Sequence, residues 1–294
     1  MNNILITGSS GRIGRALHWK LSQNYAVMGI DISPSSATSK IVDIRNYEQL
    51  LRSFEGVDTV FHTAALHAPH VGFSTEKSFY DLNVHGTEKV CKAAIATGVS
   101  QIVFTSTTAL YGYANHGHGK AVWVDEHTVP APKTIYHKTK LEAENVFKEY
   151  ASEDLAISVL RMSRCFPEPA EQMAVYRLHR GVDYRDVAEA HLLAAQLRKQ
   201  KNYDIYVISG QTPFLKSDNQ MLFENPEMVI RKREPLLAQE FDKRGWAFPK
   251  SIDRVYDSSY AQNVLGWKPK RGALDICRQF DGEDFEILPP SKRQ

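Results

Sequence analysis

Cysteine is scarce in this 294-residue chain: Cys91, Cys165 and Cys277 are its 3 members, and none has metal or redox spacing. A disulfide framework is thereby excluded, and the odd count points to a reducing compartment. Net charge is also small, +2 with histidine neutral. No nucleic-acid partner is expected, and the Lys-Arg pairs near Arg231 and Lys243 read as solvated faces. No apolar run is long enough to cross a membrane, and the N-terminus reads as a strand rather than a signal peptide. The expectation is a cytoplasmic protein with no membrane partner. His116-Gly117-His118 lacks an acidic or cysteine partner at ligand spacing and reads as a solvated insert, so no metal is expected. Repeats and low-complexity segments are missing. The length, with 43% hydrophobic and 24% charged residues, suits one large globular domain or one and a half.

What is present is organised around Asn3 to Asp31. Ile4-Leu5-Ile6 reads as a buried strand, followed at once by Thr7-Gly8-Ser9-Ser10-Gly11-Arg12-Ile13-Gly14. Ala16, Leu17 and Leu21 then recur at helical spacing, and a second apolar run from Tyr25 to Ile30 ends at Asp31. In such a unit the first glycine allows a tight turn and the second lets backbone approach a pyrophosphate. The third lets the helix pack close on the sheet. Free N–H groups at the helix start attract phosphate, so Ser10, Arg12 and Ile13 join Gly8, Gly11 and Gly14 as expected cofactor contacts. Asp31 would bind the ribose hydroxyls, favouring NAD over NADP because a carboxylate repels a 2′-phosphate.

Strand and helix patterns alternate along the first half. Strands are expected at 40–44, 58–62, 101–104 and 156–160, and helices at 47–54, 74–97 and 136–150. This is the pattern of an α/β, Rossmann-type doubly wound parallel sheet. Residues 1–160 would form the NAD-binding domain and 161–294 a small C-terminal substrate lobe. A helix at 186–197 and a strand at 204–208 would return 186–210 to the sheet. The remainder, rich in Pro, Trp and charge, reads as irregular, with Trp246 and Trp267 packing it and a mobile tail from about Phe285.

Tyr136 and Lys140 stand four residues apart, on one helix face. An ordinary tyrosine, with a pKa near ~10, is a poor acid or base at neutral pH. A neighbouring ammonium would favour its phenolate and let Tyr136 exchange a proton with a substrate oxygen. Ser106 and Thr107, at the end of Ile102-Val103-Phe104-Thr105, offer a hydroxyl for that same oxygen.

In combination these motifs resemble the extended short-chain dehydrogenases/reductases of the NAD-dependent epimerase/dehydratase family, over roughly the first two thirds of the chain. The resemblance rests on the glycine motif, Asp43-Ile44-Arg45, His62-Thr63-Ala64-Ala65, Asn83-Val84-His85-Gly86-Thr87, Thr105 to Gly112, Tyr136-x-x-x-Lys140 and Gly266-Trp267-Lys268-Pro269. It implies that Asp43 and Ile44 contact the adenine and that Thr63, Ala64 and Ala65 lie along the cofactor. Asn83 would support the active site, ordering a water or the lysine. Thr107 would hold the reacting oxygen, Tyr136 act as acid/base, and Lys140 bind the nicotinamide ribose. Thr105, Met162 and Ser163 would complete the cofactor contacts. It also implies a homodimer through the two long helices.

The segment between Arg161 and Asp186 is shorter than in relatives that hold nucleotide sugars. Arg161 to Pro169 resembles the corresponding turn of uronate dehydrogenases. The expected substrate is a sugar or nucleotide sugar, with a free sugar acid as the alternative. His67 would face it, and Arg164, with Arg177 or Arg180, would clamp its anionic group. A non-catalytic NAD-binding sensor or scaffold is the reading from another class.

Overall fold

The computed structural model describes residues 1–114, 119–197 and 201–290; His116 and His118 lie outside them. The elements run β1 (Asn3–Thr7), α1 (Arg12–Leu21), β2 (Ala26–Asp31), β3 (Lys40–Ile41), α2 (Tyr47–Phe54), β4 (Thr59–His62), α3 (Glu76–Tyr80), α4 (Thr87–Thr97) and β5 (Gln101–Thr107). They continue as β6 (Val122–Val124), α5 (Ile135–Tyr150), β7 (Ala156–Met162), α6 (Ala170–His179), α7 (Tyr184–Gln196), β8 (Tyr203–Ile208), α8 (Asn219–Glu224) and α9 (Pro226–Arg233). Last come α10 (Pro235–Arg244), β9 (Arg254–Tyr256), α11 (Ser259–Leu265) and α12 (Ala273–Asp281).

Seven strands form one sheet in the order β3-β2-β1-β4-β5-β7-β8. The pairs from β3 through β5 are parallel, with Thr7 level with Ile30 on one side and His62 on the other. Chain order reverses between β1 and β4. In doubly wound sheets such a switch point leaves a crevice at the strands' carboxyl ends, and both the glycine turn and Thr63-Ala64-Ala65 leave the sheet there.

The chain divides into two compact units: residues 1–113, 129–161 and 187–206, and residues 114–128, 162–186 and 207–294. Residues 114–128, assigned from sequence to the first domain, thus belong to the second unit. In the first unit, Leu5, Ile30, Val60, Ile102 and Phe104 of the sheet pack with Val90, Ala94 and Phe147. The long helix expected over 74–97 begins at Glu76, after the N-cap Thr75, and is not uniform. A π-helical segment, Asp81–Gly86, joins α3 to α4, and Gly98, at φ 75°, ends the run. The strand expected at 40–44 stops at Ile41, because Asp43 and Arg45 close a turn through paired side chains.

The second unit is helical, not irregular. Pro226 and Pro235 occupy first-turn positions, where a missing N–H costs nothing. Gly245 and Gly266 cap α10 and α11 in the left-handed region, at φ 63° and 64°. The residues that looked like breakers are helix boundaries. Phe241, Trp246, Leu237, Val229 and Ile276 build the core there. Trp246 meets Phe241 edge-on at 5.3 Å, and Trp267 is fully buried with its Nε1–H donating to Asp186 O. A short parallel pair, β6 with β9, completes the unit. Among the described residues no helix is long and apolar enough to cross a membrane, and no cluster of three His, Cys, Asp or Glu could hold a metal ion.

Candidate active site

Steric constraint explains the glycine turn. Gly8 has φ 72°, and a Cβ there would lie 2.6 Å from Ala64 N. A Cβ on Gly14 would fall 2.1 Å from Gly8 O, so helix α1 seats on the turn only with glycine. A Cβ on Gly11 would meet only Gly8 O, at 3.2 Å, leaving its outer face open to a ligand. No side chain caps α1 and no acid lies in its first turn, so its amide N–H groups await an anion. Asp31 accepts one backbone N–H on each oxygen, from Ser10 at 3.0 Å and Ser33 at 2.9 Å. A carboxylate offers about four lone-pair sites, so capacity remains for hydroxyl donors. Asp43 is paired with Arg45, Ile44 packs its side chain into the core against Gly86, and Thr63 donates its hydroxyl to Thr7 O.

At the end of β5, the Thr107 hydroxyl is close enough to the Tyr136 phenol to favour its ionised form. Thr107 Oγ1 accepts from Ala109 N at 3.1 Å. Successive strand residues face opposite sides, so Ser106 turns away and donates to Glu144. Thr107, not Ser106, therefore faces the tyrosine. One helical turn beyond, Lys140 Nζ donates to Thr105 O at 2.8 Å and lies 3.9 Å from the centre of the Phe104 ring. Burial pushes Lys140 down to about 7, with Glu144 opposing. Burial pushes Tyr136 up to about 12, with the Thr107 hydroxyl opposing. Sequence reasoning expected the ammonium to favour phenolate. In the structure desolvation of both groups wins, and the phenol is the resting form.

Two neutral histidines brace these strands. His191 Nδ1–H donates to Val187 O, so its Nε2 accepts from Thr105 Oγ1 at 2.7 Å. The Thr105 hydroxyl is thus committed inward. Thr87 donates its hydroxyl to Asn83 O, so His62 Nε2–H donates to Thr87 and His62 Nδ1 accepts from Thr7. Burial and then the Lys140 charge hold His62 at about 3. Asn83, in the π-helical segment, accepts from Leu66 N and donates to Leu66 O and Thr139 Oγ1. Both its N–H groups are occupied, so it fixes the loop before His67 rather than donating to a water or the lysine. His67 is partly buried, its ring 4.5 Å from that of His70.

Sequence reasoning missed the group behind the site. Arg161 donates from Nε and Nη2 to Glu144 and from Nη1 to Tyr111 Oη, all of them buried. With the Ser106 bond, Glu144 thus ties α5 to β5 and β7. The available signal was the four-residue stride Tyr136, Lys140, Glu144 on one helix face.

In the second unit, Ser163 follows directly on β7, its Oγ buried without a hydrogen-bond partner among the described residues. The adjoining Met162 is partly buried. The three arginines expected to clamp an anion each face a carboxylate of the chain: Arg164 with Glu168, Arg177 with Asp183, and Arg180 with Asp253 at 3.9 Å. Arg177 is buried with Asp183. The cationic excess such a clamp needs is therefore cancelled locally.

The sequence profile of the NAD dependent epimerase/dehydratase family matches residues 4–174. The chain belongs to this family. It is 31% identical over 173 residues to an N-acetyl-alpha-D-glucosaminyl-diphospho-ditrans,octacis-undecaprenol 4-epimerase of Escherichia coli O157:H7, covering 57% of this chain and 50% of that protein. It is 30% identical over 160 residues to an L-arabinose 1-dehydrogenase (NAD(P)(+)) of Haloferax volcanii, covering 51% and 62%. The match thus spans about half the length of such curated relatives. Among solved structures, MoeE5 in complex with UDP-glucose and NAD superposes with TM-score 0.70 at 20% identity, over 96% of this chain and 99% of that one. NAD is the cofactor of the family, and the uncapped start of α1, the open face of Gly11 and the spare acceptor capacity of Asp31 fit it.

Proposed function

We propose that this protein is an NAD-dependent enzyme that acts on a sugar hydroxyl by hydride transfer, with Tyr136 as the acid/base. The observation that carries the reading is the Thr107 hydroxyl acting on the Tyr136 phenol, with Lys140 buried one turn along the same helix. When bound, NAD supplies the two-electron acceptor. Thr107 holds the substrate oxygen and Tyr136 exchanges its proton. Lys140, held by Thr105 O, keeps an amine beside the reacting group and binds the nicotinamide ribose. Gly8, Ser10, Gly11, Arg12, Ile13, Gly14 and Asp31 receive the adenosine and pyrophosphate end, and Met162 and Ser163 are further cofactor contacts in this reading. Net oxidation and epimerisation share this proton chemistry. They differ in whether the oxidised sugar leaves before it is reduced again. Both kinds of enzyme occur among the relatives. A homodimer through α4 and α5 belongs to the same reading, and light scattering tests it.

The deciding experiment is a panel of free sugars, sugar acids and nucleotide sugars, followed at the NADH absorbance band with the product sugars analysed in parallel. Turnover that Tyr136→Phe abolishes supports the reading. Tight NAD binding without NADH or an isomer from any substrate would leave a non-catalytic NAD-binding protein.

A further inference from the structure

The Lys140 side chain is buried, and its one hydrogen-bond acceptor among the described residues is the Thr105 carbonyl, at 2.8 Å. No carboxylate among those residues pairs with it. Glu144, one turn further along α5, is held by Arg161 and Ser106. Where the amine sits therefore depends on where Thr105 holds its carbonyl. The ladder between β4 and β5 ends with His62 opposite Phe104. From Thr105 onward that neighbour gives β5 no further pairing, and a side chain supplies the support instead.

Thr105 donates its hydroxyl to His191 Nε2 at 2.7 Å, and His191 Nδ1–H donates to Val187 O at 2.8 Å. The His191 ring is fully buried, and burial keeps it neutral, with a pKa of about 4. A neutral imidazole has one N–H and one acceptor nitrogen, and here both are used. Successive strand residues face opposite sides of a sheet: Ser106 reaches Glu144 of α5, whereas Thr105 reaches His191 of α7. One strand residue thus carries a link through the sheet, bonded to His191 by its side chain and to Lys140 by its carbonyl. We propose that His191 is a positioning residue for the reaction: acting through the Thr105 hydroxyl from the opposite face of the sheet, it holds the carbonyl that seats Lys140. The proposal rests on the reading that Lys140 serves the reacting group and the nicotinamide ribose.

The test follows Lys140 itself, by NMR titration of the full-length protein isotope-labelled at its lysine side chains, with Lys140→Met assigning the resonance. Burial pushes this amine down to about 7, with Glu144 opposing. A hydrogen bond to a carbonyl favours the ammonium, so a carbonyl that drifts away lowers the midpoint further. Thr105→Val deletes the hydroxyl and keeps the shape and the carbonyl, and His191→Leu deletes the ring. Each is expected to lower the Lys140 midpoint by about half a pH unit or more. His191→Gln, whose amide both donates and accepts, is expected to keep the wild-type midpoint. Glu144, His62 and His67, the other titratable groups that act on or feel this amine, stay in place in all three variants. A wild-type midpoint in Thr105→Val, or a midpoint in His191→Gln as low as that of Thr105→Val, overturns the proposal, and both readings stand even where His191→Leu does not fold. Calorimetric titration of NAD separates the proposal from the functional reading. If Lys140→Met binds NAD as tightly as the wild type, the ribose role fails while the midpoints still decide the link from His191. If Lys140→Met weakens NAD and Thr105→Val leaves the midpoint unmoved, the link fails and the ribose role stands.

Discussion

Arg161 grips Glu144 through Nε and Nη2, with both side chains buried and the Glu144 carboxylate also receiving the Ser106 hydroxyl. Each member of the pair sits in a different element, so the contact fixes α5, which carries Tyr136 and Lys140, against the strands that carry Thr107 and Arg161.

Removing one partner of such a pair strands a buried charge. Glu144→Gln is expected to lower stability by about 3–5 kcal/mol, read by denaturant unfolding. Ser106→Ala removes only the hydroxyl bond and should cost about 1–3 kcal/mol. A Glu144→Gln protein as stable as the wild type would show that the pair carries no structural weight.

For the acid/base role, Tyr136→Phe keeps the ring and loses the transferable proton. With a turned-over substrate, kcat should fall by ~10²-fold or more, with NAD affinity little changed. Lys140→Met should damage both. Near-normal turnover by Tyr136→Phe would remove the residue from the mechanism.

Cofactor choice rests on Asp31. Asp31→Ala should weaken NAD more than NADP and narrow the preference, as measured by titrating both. It also frees the backbone N–H groups of Ser10 and Ser33, so a modest loss of thermal stability should accompany the change. Tighter binding of NADP than NAD by the wild type would contradict the assignment.

Acid should unfold the protein through its buried histidines. Desolvation holds His62 and His179 at about 3 and His191 at about 4, against an ordinary value of 6.5. Their stabilising contribution is complete above 6.5, because the unfolded chain alone takes up the protons as pH falls below it. Each then removes about 1.4 kcal/mol per pH unit until its folded value is reached. Unfolding free energy should fall steeply between pH 6 and 4. A His191→Gln variant should show a shallower slope over the same window.

Much of the sheet and of the cofactor turn was legible because the signals are local. Gly8, Gly11 and Gly14 have spacings set by one turn and one helix, and Tyr136 with Lys140 needs only helical periodicity. The buried group of Ser106, Tyr111, Glu144 and Arg161 was not legible, since it joins two strands, a helix and the turn after β5, which only the packed sheet brings together. In the second unit, Pro and Gly mark both helix ends and irregular chain. Pro226, Pro235, Gly245 and Gly266 took the first role, which only the surrounding contacts decide. The arginine cluster misled for a related reason. Composition reveals Arg177 and Arg180, but their acidic partners Asp183 and Asp253 are assigned by tertiary structure.

The pairing of β6 with β9 also bears on the order of assembly during synthesis. Val122 to Val124 leave the ribosome well before their parallel partners, Arg254 to Tyr256. The first unit has all its pieces once Tyr206 has emerged. The second needs residues well beyond that point, with Val122 to Val124 unpaired until Arg254 to Tyr256 are made. Non-local pairing of this kind slows folding and leaves strand edges open to wrong partners. A chain halted before Arg254 would therefore complete the dinucleotide unit and present Val122 to Val124 as a strand without its mate.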